Sequence, residues 1–223
     1  MITFEETRLY ATLRYAKHGI VIAVGTGQEG KTVLLNAIAN NHIFRRRKIA
    51  LVNYDPALVA RDFPPHYRAI QWPDEIEDVP RLIYAGIDIL IIDDAAFLIG
   101  ARDHATRENK NIQKLITIAS HYGIFIFISI QSLAMLDIGT LMSQGVVILN
   151  KMMDTTALKF ERPEFQGHQA IANVKILRFR RSHPDVHPKA VTYCTTSWET
   201  FTNSVPEWWH IGLSLAQRGR IPT

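Results

Sequence analysis

Apolar residues along the chain fall into short continuous runs, and the stretches between them repeat their apolar positions every three or four residues. The runs are GIVIAV (19–24), KIALVNYD (48–55), a shorter RAIQW (68–72), IDILIIDD (87–94), IFIFISI (124–130) and GVVILN (145–150). Runs of this length and composition predict strands buried on both faces. Between them, KTVLLNAIANN puts Val33, Leu34, Ala37 and Ile38 at helical spacing. IEDVPRLIYAG sets Ile76, Val79, Leu82 and Ile83 on one helical face and stops at Gly86. A polar helix around RENKNIQKLITIASHYG has Ile112, Leu115, Ile116 and Ala119 as its inner stripe. Strands alternating with helices predict an α/β domain, a parallel sheet covered on both faces.

The pattern changes after about Asn150. AIANVKILRFRR and KAVTYCTTS read as two strands separated by the turn-rich SHPDVHP. Ser204 with Glu207 resembles a capping box, followed by a stripe of Val205, Trp208, Trp209 and Leu213 that reads as core or subunit contact. The expected organisation is an N-terminal segment (1–18), a core (19–150) and a C-terminal extension of the same domain (151–223).

Composition narrows the class. At 223 residues, 47% hydrophobic and 21% charged, the chain can bury one sizeable core. No apolar run reaches bilayer length, so no transmembrane segment is expected. The N-terminus MITFEETRLYATLRYAKHG carries two glutamates and no apolar block, unlike a signal peptide. Cys194 is the one cysteine, which excludes an intrachain disulfide and favours a reducing compartment. A net charge of +4 permits a polyanionic partner without requiring one.

The chemistry is concentrated in GTGQEGKT, which follows the first strand and opens the first helix after it. It matches G-x-x-x-x-G-K-[ST], with Gly25, Thr26, Gly27, Gln28, Glu29, Gly30, Lys31 and Thr32 as the loop. Glycines let successive N–H groups turn inward around phosphates, and the helix adds its positive end. Lys31 would reach the β- and γ-phosphates and the Thr32 hydroxyl would ligate Mg²⁺. The strand ILIIDD then supplies Asp93 on the metal side and Asp94 as a general base for the attacking water. Gln131, at the end of IFIFISI, stands where ligands sit in parallel sheets and can report the γ-phosphate. Together these residues predict a nucleoside triphosphatase.

Other nucleotide chemistries fit less well. LNKMMD (149–154) has one residue too many between Lys151 and Asp154 for the guanine-reading N-K-x-D, and DDAAFLIG lacks D-x-x-G, so guanine specificity is rejected. FRRRK (44–48) precedes the second strand, an awkward place for the arginine-rich lid of a small-molecule kinase.

With GTGQEGKT, VNYDP (Asp55-Pro56) at the second strand end, ILIIDD and Gln131, residues 19–150 resemble the FtsK–HerA superfamily of DNA-pumping ATPases. The short chain looks most like the vaccinia-type genome-packaging ATPases of tailless, internal-membrane dsDNA viruses. It departs in having Asp94 where many relatives have glutamate, and the tail beyond Asn150 matches no named pattern. The resemblance implies a RecA-like P-loop NTPase sheet with an additional strand and a short β/α C-terminal extension. It implies ATP and Mg²⁺, a homo-oligomeric ring (pentamer or hexamer), double-stranded DNA, capsid vertex proteins, and a place in the host cytoplasm or virion. The expected work is translocation of a viral genome into a preformed capsid. The alternatives are an ATPase for phage assembly or secretion and a nucleotide-switched binding module. Arg102 and Arg107, just beyond Asp93–Asp94, are candidates for an arginine acting in trans. Arg45, Arg46 and Arg47 in one cluster and Arg178, Arg180 and Arg181 in another are candidates for DNA contact.

Overall fold

The computed structural model describes residues 2–44, 47–52, 54–70, 85–95, 121–135, 146–206 and 208–209. Among them, eight strands form one sheet: β1 (Gly19–Val24), β2 (Ile49–Val52), β3 (Tyr67–Ile70), β4 (Ile89–Ile92), β5 (Phe125–Ile130), β6 (Val147–Asn150), β7 (Val191–Cys194) and β8 (Glu199–Thr202). Their order is β3-β2-β4-β5-β1-β6-β7-β8. The six expected strands pair in parallel, and β7 and β8 extend the β6 edge antiparallel. β5 stands between β1 and the acidic strand β4, the additional-strand arrangement. Among the described residues five α-helices accompany the sheet: α1 (Arg8–Tyr15), α2 (Lys31–Ala39), α3 (Pro56–Asp62), α4 (Thr155–Phe160) and α5 (Pro163–Ser182).

The continuous apolar runs serve two cores at once, because successive side chains in a strand point to opposite faces. Val21, Ala23, Ile49, Leu51, Ile89, Ile91, Phe125 and Phe127 face one core, which α1 and α2 cover with Leu9, Leu13, Leu34, Leu35 and Ile38. Ile20, Ile22, Val24, Ala50, Val52, Leu90, Ile92, Ile126, Ile128 and Ile130 face the other, packed by Ala157, Leu158 and Phe165 of α4 and α5. Parallel registry brings Val24 beside Ile130 and Asn150, so the loops after β1, β5 and β6 emerge together along the edge formed by the carboxyl ends of the strands. α3 starts there because Asp55 caps it, accepting from the Ala57 N–H at 2.8 Å, with Pro56 in the first turn.

One expectation is overturned. AIANVKILRFRR is not a strand but the second half of α5, which begins at Pro163 and runs 20 residues. Gln169, Ala172 and Ile176 are its buried residues and pack it onto β7, while Ile171, Val174 and Leu177 lie exposed on the other side. Apolar residues on both sides of the helix mask the 3.6-residue period. Most of the expected helices around 76–86 and 107–123 lies outside the described residues, as do Glu207 and Leu213. Trp209 is buried, and Trp208 stacks 4.7 Å from Phe63. The N-terminal segment joins the far edge of the sheet, where Thr3 bridges Thr202 and the Arg8 N–H donates to Glu199.

Phe127 is fully buried on the strand beside β1 and stacks edge-on with Phe44 and Phe125. Phe127→Ala is expected to lower the stability by about 3–5 kcal/mol, measured by urea denaturation.

Candidate active site

The turn after β1 has little choice of residue at its two ends. Gly25 has φ +151°, and a Cβ there would lie 2.8 Å from the Lys151 Cβ and 3.0 Å from the Met152 carbonyl. Gly30, with φ +83°, precedes α2, and its Cβ would come within 3.1 Å of the Lys189 carbonyl. Backbone bonds tie the turn down: Gly25 N–H to the Ile130 carbonyl, Thr26 N–H to the Met152 carbonyl, and Lys151 N–H to the Val24 carbonyl at 2.8 Å. The Thr26 hydroxyl accepts from the Asp154 N–H at 2.8 Å. At Gly27 a Cβ would meet nothing within 4 Å, so the turn opens outward there. The first N–H groups of α2, which have no intrahelical partner, point to the same mouth.

Lys31 opens α2 with 8% exposure, its Nζ donating to the Gly25 and Thr26 carbonyls at 2.8 and 2.9 Å. Burial pulls its pKa below the usual lysine range, against the pull of Asp93, Asp94 and Glu29. The Thr32 hydroxyl, one residue on, donates to Asp93 at 2.8 Å. Asp93 also accepts from the Tyr54 hydroxyl at 2.9 Å and from the Ser129 hydroxyl. Burial, then the Asp93 charge, keeps Tyr54 protonated well above the usual tyrosine range.

Asp94 sits in the left-handed region, φ +49°, its N–H donating to the Ser129 hydroxyl at 2.8 Å. Gln131, exposed just after β5, lies close enough to the Asp94 carboxylate to favour its charged form. Among the described residues the buried Oδ1 of Asp94 has no hydrogen-bond partner. Burial first, and Asp93 next, raise the Asp94 pKa above the ordinary aspartate value, with Lys31 and Gln131 opposing. The structure thus brings Lys31, Thr32, Asp93, Asp94 and Gln131 to one edge. Thr32 and Asp93 converge as a sparse, all-oxygen donor pair, which fits Mg²⁺, an ion that retains most of its waters. Among the described residues, no cluster of three or more His, Cys, Asp or Glu could hold a metal.

Several contributors carry no signal in a linear reading. Tyr54 and Ser129 look like ordinary strand residues, and their role arises from the β2-β4-β5-β1 order. Glu161 is 3% exposed and accepts from the Ser132 hydroxyl and the Leu133 and Ala134 N–H groups, fixing the chain just after Gln131. Lys151 is fully buried, its Nζ donating to the Lys189 and Val191 carbonyls and to Asn203 at 2.8, 3.3 and 3.0 Å. The remaining residues of LNKMMD are likewise engaged: Asn150 donates to the Tyr193 carbonyl, and Asp154 caps α4.

The basic candidates separate. Arg45, Arg46, Arg102 and Arg107 lie outside the described residues. Arg47 stacks over Phe44 and Phe125, at the sheet edge opposite the phosphate loop. Arg178 and Arg181 are exposed on α5. Arg180, in the segment expected as a strand, is on a helix and turned inward: it pairs with Glu29 at 3.0 Å and donates to the Pro188 carbonyl at 2.9 Å.

Burial pushes the Lys151 pKa down from 10.5 to about 7. Between those values the unfolded chain binds a proton that the folded chain does not, so stability rises with pH across this window. Urea denaturation at pH 7, 8 and 9 is expected to show a slope of up to about 1.4 kcal/mol per pH unit in the wild type that Lys151→Met removes.

No family model and no curated protein matches the sequence. Solved structures do. B204, the DNA-packaging ATPase from Sulfolobus turreted icosahedral virus, superposes with TM-score 0.53 and 14% identity over 86% of this chain and 99% of that one. The genome-packaging NTPase B204 of Sulfolobus turreted icosahedral virus 2, in complex with ATP-gammaS, gives 0.54 and 15% over 85% and 98%. The cytoplasmic domain of the Thermomonospora curvata type VII secretion ATPase EccC gives 0.53 and 12% over 85% of this chain, which spans 24% of that one. With its additional strand and phosphate loop, the chain shares the P-loop NTPase fold of these structures.

Proposed function

We propose that the chain hydrolyses ATP to move double-stranded DNA, packaging a viral genome into a preformed capsid as a ring of identical subunits. One observation carries the ATPase reading: the loop lysine, the Thr32–Asp93 pair and the Asp94–Gln131 pair share a single sheet edge. Likeness in fold to the two B204 proteins, over 86% and 85% of this chain, supports packaging. Among the described residues no helix is long and apolar enough to cross a membrane.

The residues divide the work as follows. The N–H groups of the turn and of the start of α2 receive the phosphates, and Lys31 exchanges the Gly25 and Thr26 carbonyls for β- and γ-oxygens. Mg²⁺ held by Thr32, with Asp93 beside it, would supply positive charge to those oxygens. Asp94, its basicity raised by burial, takes the proton of the water that attacks the γ-phosphorus, and ADP departs with the bridging oxygen. Gln131, beside Asp94, steadies that carboxylate and senses the phosphate. Arg102 or Arg107 from a neighbouring subunit would complete the charge stabilisation, and Arg178 and Arg181 offer phosphate contacts to DNA.

In a steady-state ATPase assay, Lys31→Ala is expected to lower kcat/KM by about 10²-fold or more. Asp94→Asn should bind ATP yet lose about 10²–10⁴-fold in kcat. Unchanged turnover in either variant contradicts the assigned role.

Duplex DNA of any sequence is expected to stimulate the ATPase. The logarithm of its affinity should fall linearly with log salt, by about 0.9 per phosphate contacted. Arg178→Ala with Arg181→Ala should reduce stimulated more than basal turnover. A monomeric mass in ATP and turnover indifferent to DNA would favour the nucleotide-switched binding module.

A further inference from the structure

Within the phosphate loop one side chain is chemically out of place. Glu29 is the single acid of GTGQEGKT, and it precedes Gly30 at the start of α2, where a polyanion is to be received. Its carboxylate accepts from the Arg180 Nη2 at 3.0 Å, with the two side chains 24% and 19% exposed, so the pair is partly shielded from solvent. The guanidinium is aimed by a second bond, Nε to the Pro188 carbonyl at 2.9 Å. The same segment continues to Lys189, whose carbonyl flanks Gly30 and accepts from Lys151. The end of α5 is held in turn by Phe179, stacked 4.2 Å from His183.

We propose that Arg180 is a positioning residue of the phosphate loop, which neutralises Glu29 and locks it against α5 so that the loop can accept a triphosphate. The proposal rests on the ATP reading of the loop but not on DNA translocation. Two consequences separate it from a purely structural contact. Nucleotide affinity should follow the net charge of the pair, and the effect should fall on binding more than on the chemical step, since Asp94 and Gln131 are untouched. Arg180 is then part of the nucleotide site rather than a DNA contact, unlike its neighbours Arg178 and Arg181.

The test is a double-mutant cycle on the full-length chain, read as the Kd of a fluorescent ATP analogue with Mg²⁺ and as KM and kcat. R180A leaves an unpaired carboxylate by the phosphates, and Kd and KM should rise about tenfold while kcat changes less than about threefold. E29Q leaves an unpaired guanidinium there and should tighten binding. The R180A/E29Q double variant, again neutral, should return to within about twofold of the wild-type Kd, and all differences should shrink as salt rises. R180K, keeping the charge but not the fork, should lie between R180A and wild type. If R180A does not fold, R180Q and R180Q/E29Q carry the same comparison. A wild type that binds no ATP would overturn the nucleotide reading itself. Wild-type binding that R180A or R180K leaves unchanged, or a double variant as weak as R180A, would overturn this proposal alone.

Discussion

The Asp93 carboxylate accepts hydrogen bonds from hydroxyls on three separate parts of the chain: Thr32 in α2, Tyr54 after β2 and Ser129 in β5. A charge held at the end of a strand as apolar as ILII is costly unless it is paired and hydrogen-bonded. Once these donors surround it, the sheet edge has a fixed form. Ser129 also receives the Asp94 N–H, so the bond network that anchors the first acid sets the left-handed backbone that turns the second toward Gln131. The relation of lysine, hydroxyl and two acids therefore follows from one anchored carboxylate.

The second constraint comes from residues beyond 150, which flank the loop on both sides. Met152 and Asp154 hold Thr26, Lys189 flanks Gly30, and the Lys151 Nζ crosses beneath to three acceptors. Glu161 and Arg162 grip the chain after Gln131, the glutamate through Leu133 and Ala134 and the arginine through the Ala134 carbonyl. Both sides of the candidate site, phosphate loop and sensor strand, are thus supported by residues beyond 150. A disturbance of α4 or α5 would reach the nucleotide through packed, hydrogen-bonded contacts.

Sequence legibility followed the range of the forces involved. Strands β1, β2, β4, β5 and β6 were readable because burial on both faces makes each an unbroken apolar run, β3 less so because Arg68 interrupts it, and the loop because phosphate chemistry fixes its spacing. The Asp55-Pro56 step is read in sequence only as a match at the second strand end, whereas in the fold it also starts α3. What escaped depends on distant partners. Ser129 is a serine in a hydrophobic strand until β5 lies beside β4, and Glu161 is an ordinary acid until residues 132–134 fold over it. α5 was misread as a strand because Ile171, Val174 and Leu177 line its exposed side while Ala172 and Ile176 line its buried side. That error carried Arg180 to the wrong surface. The correct helix turns it to Glu29, 151 residues away in sequence.

The central claim is that one sheet edge receives Mg²⁺ and ATP with a base set beside the γ-phosphate. A crystal structure with Mg²⁺ and a non-hydrolysable ATP analogue measures this directly. The account predicts the β-phosphate within the turn of residues 25–32 and Mg²⁺ at about 2.0–2.1 Å from the Thr32 hydroxyl. It also predicts a water between the γ-phosphate and Asp94. An analogue bound away from Lys31, or an Asp94 carboxylate too far from the γ-phosphate to share a water with it, would contradict it.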